Sequence, residues 1–93
     1  ILVMAHNEPR EIDFTIQKNG IKIDDKLYRY NEFKSFWVLY EPPEVKELIL
    51  KSKRLLLPNI YIPLEKKNPV KIRNYLKQYL PEKEEHSSAA EAI

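Results

Sequence analysis

Eight basic side chains in the second half of the chain have the types and spacing that could do chemistry: Lys51, Lys53, Arg54, Lys66, Lys67, Lys71, Arg73 and Lys77. From Glu44 to Lys77 there are nine Lys and Arg against three Asp and Glu, in a chain whose formal net charge is only +2. Residues 8–41 carry six basic and seven acidic side chains, and residues 82–93 carry one and four. Ammonium and guanidinium groups gathered in this way suit phosphate oxygens, whether of anionic lipid headgroups or of a nucleic-acid backbone. The plainer reading is a solvated face that keeps the protein soluble. Geometry decides between them. A patch requires the turn bearing Lys51, Lys53 and Arg54 to meet the segment bearing Lys66 and Lys67.

Other reactive groupings are sparse. His6 and His86 stand near the two ends with no acidic or cysteine neighbour at ligand spacing, so no metal site is expected. Asp24-Asp25 with Glu32 resembles a cation cluster only superficially, because adjacent aspartates are common turn formers. A single glycine, Gly20, precludes a glycine-rich phosphate loop, and there is no Ser-His-Asp or Cys-His grouping. With no cysteine there is no disulfide framework, which fits a reducing compartment. The expectation is therefore a non-enzymatic protein with no cofactor, no metal and no small-molecule substrate.

The elements that must position the basic residues change character near residue 65. Before it, short alternating runs are separated by turn signals; after it comes one proline-started helix. Ile12, Phe14 and Ile16 alternate on one face of a strand over residues 11–17. Asn19-Gly20 predicts a type I′ hairpin with positive φ at Gly20. Further strands are predicted over 20–24, 26–30, 34–40, 45–51 and 55–63. Residues 34–40, rich in aromatic and β-branched types, read as a central strand. Asn68-Pro69 predicts a capped helix start, with Ile72, Leu76 and Tyr79 facing inward and Pro81 ending the helix. Residues 82–93 lack apolar periodicity and read as a disordered acidic tail. Several strands followed by one helix predict a small curled antiparallel sheet plugged by its C-terminal helix. Along Phe36-Trp37-Val38-Leu39-Tyr40 one alternating set must face outward. If that set is Trp37 and Leu39, it needs a cover: the C-terminal helix, a partner subunit or the bilayer surface.

The order of these elements, with the stretches Tyr30-Asn31-Glu32-Phe33-Lys34-Ser35-Phe36-Trp37 and Ile60-Tyr61-Ile62-Pro63-Leu64, resembles a bacterial pleckstrin-homology-like domain of small membrane proteins. The resemblance covers about residues 11–81 and rests on pattern rather than on functional motifs. It implies an α+β, mainly β fold: a six- to seven-stranded antiparallel curled sheet or barrel closed by one C-terminal helix. It also implies a domain on the cytoplasmic face of the cell membrane, tethered by an upstream helix. The apolar run Ile1-Leu2-Val3-Met4-Ala5 is then the end of that helix, although five residues fall far short of the about 20 that span a bilayer. A buried first strand or an appended remnant would read the same way.

The sequence thus divides into an N-terminal segment over 1–10, a domain over 11–81 and a tail over 82–93. The expected function is binding. Trp37 and Leu39 are candidates for a protein partner or self-association, and Lys51, Lys53, Arg54, Lys66, Lys67, Lys71 and Arg73 for anionic lipid or phosphate. The alternative is a free domain that binds nucleic acid through the same basic half. The aromatics Tyr28, Tyr30, Phe36, Trp37 and Tyr40 lie outside that half, which disfavours base stacking.

Overall fold

The computed structural model describes residues 12–54 and 58–88. Six strands lie among them: β1 (Phe14–Gln17), β2 (Gly20–Ile23), β3 (Lys26–Arg29), β4 (Phe33–Glu41), β5 (Val45–Ser52) and β6 (Ile60–Pro63). One helix follows, α1 (Pro69–Leu76). Ile1 to Ala5, His6 and the expected start of the sixth strand at residue 55 lie outside the described residues. Among the described residues no helix is long and apolar enough to cross a membrane.

The strands do not form one curled sheet or a closed barrel. They form two separate three-stranded antiparallel sheets, β1-β2-β3 and β4-β5-β6. The chain leaves β3 through a 3₁₀ turn at Tyr30–Glu32, so β4 starts away from β3 and pairs with β5 instead. The central strand of the second sheet is therefore β5, not the aromatic run of β4. One apolar core nevertheless joins both sheets. Ile21 of β2, Phe33 and Phe36 of β4, Leu48 and Leu50 of β5, and Ile62 of β6 are buried together with Leu64, Leu76 and Leu80. Alternation explains this selection, since Leu48, Leu50 and Ile62 are the inward positions of their strands.

Two local expectations shift. The first hairpin pairs Gln17 with Gly20, so its two-residue loop is Lys18-Asn19, and Gly20 is the first residue of β2. Its φ is positive, at 154°, because the β3 backbone passes so close that any Cβ would overlap it. The helix begins as expected: the Asn68 side chain accepts from the amides of Val70 and Lys71 at 3.0 and 3.2 Å. It ends earlier, at Leu76, and residues 77–80 continue as turns held by Gln78 N–H to Tyr75 O and Tyr79 N–H to Leu76 O. Ile72 packs on the core and Leu76 is fully buried, but Tyr79 is 38% exposed and stacks on Tyr30, centroids 4.5 Å apart.

The chain then does something its composition conceals. The amide of Phe36 donates to Pro81 O and the amide of Lys83 donates to Phe36 O, each at 3.0 Å, so residues 81–83 run parallel along the free edge of β4. Residues 82–88, expected to be disordered, lie against the second sheet through several polar contacts.

Candidate functional site

The basic residues do not converge into one patch. β5 has eight residues, about 23 Å end to end, and it separates the two clusters. Lys53 and Arg54 follow its C-terminal end. Lys66 and Lys67 lie near its start, where Leu64 N–H donates to Lys46 O at 2.8 Å. The condition for a single patch therefore fails.

At the C-terminal end of β5 a cleft of about 570 Å³ opens between the two sheets. Lys53 and Arg54 line it together with Lys26, at the start of β3. Backbone bonds hold this turn in place. Lys53 N–H donates to Glu32 O at 3.0 Å, and Arg54 N–H donates to Ser52 Oγ at 3.0 Å. Both side chains are left exposed. The Lys26 ammonium sits 4.8 Å from the Tyr28 ring centroid, a cation–π arrangement. Tyr28, Phe33 and Ile60 supply apolar wall, and Asn31 and Asn59 supply amides. Among the described residues the only acidic side chain lining the cleft is Glu32, whose carboxylate already accepts from Arg29 N–H at 2.8 Å. Among the described residues, three cations thus line the cleft with one committed carboxylate.

The hollow at the other end of β5, about 820 Å³, is different. Lys46, Lys66 and Lys67 line it, but so do Glu44, Glu47 and Glu65, and the charges cancel. Lys67 is also drawn over the Phe14 ring, 5.2 Å from its centroid.

The remaining candidates are largely engaged. Lys51 Nζ lies 3.8 Å from Glu85 Oε2. Arg73 grips Glu82 with two bonds, Nε to Oε2 at 2.5 Å and Nη2 to Oε1 at 3.0 Å. This pairing holds the Glu82 carboxyl below its ordinary range and pushes the guanidinium up. Lys71 is exposed on the helix. Sequence reasoning missed Lys26, because nothing in residues 24–30 signals that the start of β3 faces the end of β5.

Trp37 and Leu39 do form the outward set of β4. Their partners Ile49 and Glu47 share that face, and both Trp37 and Leu39 are half-buried. Part of the cover comes from the chain itself. Glu85 accepts from Asn59 Nδ2 at 3.4 Å and faces Lys51, while Ser88 donates to the Glu47 carboxylate through N–H at 3.1 Å and Oγ at 2.5 Å. Residues 85–88 therefore follow β5 from Lys51 back to Glu47, crossing Ile49, which is fully buried although it lies outside the main core.

Among the described residues no group of three His, Cys, Asp or Glu side chains could hold a metal ion. Comparison of the chain with protein-family models, with curated proteins and with solved structures returned no match, and nothing in them identifies a pleckstrin-homology-like domain.

Proposed function

We propose that this protein is a non-catalytic binding domain that holds an anionic phosphate group in the cleft formed by Lys26, Lys53 and Arg54. It works at the cytoplasmic face of a membrane as the anchored domain of a small bacterial membrane protein. The observation that carries the reading is the meeting of three cations with a single carboxylate that is already occupied. The apolar wall of Tyr28, Phe33 and Ile60 favours a headgroup at a lipid surface over a fully solvated ion. Membrane placement draws on the sequence resemblance and on the apolar run at Ile1 to Ala5.

Each basic residue near an anionic surface contributes about 1 kcal/mol, so three give weak, salt-sensitive attachment. The test is co-sedimentation at low salt with vesicles rich in anionic lipid and with zwitterionic vesicles. The wild type should pellet with the anionic vesicles alone. Lys53→Gln with Arg54→Gln should remove about 2 kcal/mol, roughly thirtyfold in affinity. Lys66→Gln with Lys67→Gln, at the neutral hollow, should change little. Competition by inorganic phosphate separates a free-ion site from a membrane site, and a single-stranded RNA arm reads out the nucleic-acid alternative. Equal losses in the two double variants, or no binding at low salt, would defeat the proposal.

A further inference from the structure

We infer that Tyr30 and Tyr79 form an oxidative cross-linking site, where a one-electron oxidant joins the two rings and so clamps the turn after α1 to the body of the fold. The chain has no cysteine. Among the described residues, the side chains that lose one electron most readily are Trp37 and the tyrosines, and the Trp37 indole N–H is buried. The rings of Tyr30 and Tyr79 stack with centroids 4.5 Å apart and planes 4° from parallel. Tyr75 stands further off, 5.5 Å from Tyr79 and tilted by 38°. Tyr40 is exposed, at 46%, but among the described residues no ring lies against it.

Both members of the pair stand on fixed supports. Tyr30 opens the 3₁₀ turn between the sheets, and its hydroxyl donates to Gln17 O at 2.6 Å. Tyr79 N–H donates to Leu76 O at 2.9 Å, and the buried Leu76 and Leu80 anchor the turn on either side of it. The Tyr79 ring is 38% exposed, so it is the member an oxidant in solution meets first. Loss of an electron from that phenol, with its proton passing to water, leaves a phenoxyl radical in contact with Tyr30. A second oxidising equivalent does the same to Tyr30. The two radicals then couple between ring carbons ortho to the oxygens, and the hydrogens on the joined carbons move to the oxygens and restore both phenols. In sum the oxidant takes two electrons, water takes two protons, and the protein loses two hydrogens. The stacked rings must slide for the ortho carbons to meet, and the exposed Tyr79 ring is the one with room to move. The product closes a long loop covalently, which limits the unfolded chain as a disulfide does.

The experiment uses the full chain at low concentration, illuminated with a ruthenium tris-bipyridyl complex and persulfate. Persulfate accepts both electrons and is reduced to sulfate. A monomer two hydrogens lighter should appear, with the blue emission of dityrosine. Trypsin should release the peptide from Tyr30 to Lys34 joined to the peptide from Gln78 to Lys83, while Lys77 separates Tyr75 from Tyr79 in the digest. Tyr79→Phe should abolish this product and Tyr75→Phe should retain it. In concentrated urea the Tyr30–Tyr79 product should be lost, because the contact is a property of the fold. The purified cross-linked monomer should unfold at higher urea than the untreated protein. Absence of the lighter monomer overturns the inference, as does a link that maps to Tyr75 or forms only between molecules. A yield equal in urea overturns the site, and an unchanged urea midpoint overturns the clamp.

Discussion

Replacing Gly20 by alanine tests the contact that joins β2 to β3. A Cβ at this position would lie 2.2 Å from Tyr28 O and 2.9 Å from Arg29 Cα, both backbone atoms, where ordinary contact begins at 3.4 Å. Neither atom can swing aside as the end of a long side chain could. The backbone at φ 154° is also in a region that side chains rarely adopt. Two costs therefore add. Strain in a glycine-only conformation costs about 1–3 kcal/mol, and prising β3 away weakens one or two ladder bonds at about 0.5–1.5 kcal/mol each. Together they put Gly20→Ala at about 1.5–6 kcal/mol, a large part of the about 5–15 kcal/mol that holds a domain together. Gly20→Val should be worse. The assay is urea unfolding followed by Trp37, the single tryptophan, which lies in the other sheet. Because Ile21 of β2 shares the core with β4 and β5, the loss should appear there as a shifted midpoint of one transition. A loss below about 0.5 kcal/mol, within the range of ordinary surface changes, would refute the close approach of β2 and β3.

Leu76→Ala removes a fully buried side chain that joins the helix to the sheets and should cost about 2–5 kcal/mol in the same unfolding assay. Burial, reinforced by Tyr75 and Tyr79, pushes the Tyr30 phenol up to about 12 from 10.0, while its hydroxyl donates to Gln17 O at 2.6 Å. Because the folded state favours the neutral phenol, its stabilising contribution is intact below pH 10 and is lost as pH rises towards 12. Stability measured against pH should therefore fall across that window in the wild type, and this part of the fall should be missing in Tyr30→Phe. At neutral pH the phenylalanine variant should lose about 0.5–1.5 kcal/mol for the missing bond.

The strand positions were legible because alternation is local: Leu48, Leu50 and Ile62 sit inward as their spacing requires. The pairing of strands was not. Nothing in Tyr30-Asn31-Glu32 announces that the chain turns away there instead of folding β4 back onto β3. Gly20 was legible as a residue needing positive φ, but the cause is an approach by β3, eight residues away in sequence, and not the turn itself. For the candidate site, Lys53 and Arg54 were legible as charges. Their partner Lys26, and the separation of Lys66 and Lys67, are products of tertiary structure. The segment after Pro81 was illegible for a different reason. It binds through carboxylates, hydroxyls and backbone amides, so it carries none of the apolar rhythm by which ordered segments are usually found.

The pairing of residues 81–83 with β4 also bears on how the chain behaves when shortened. β4 has nine residues, rich in aromatic and aliphatic types, and such a strand with an open edge is a template for pairing with other chains. Glu82 and Lys83 set opposite charges along that edge and close it at Phe36. A product that ends before Pro81 would keep its core residues yet offer the bare edge to its neighbours. It should form oligomers or fibrils at concentrations where the intact chain stays dispersed, so proteolysis near the turn after α1 would first appear as turbidity, not as unfolding.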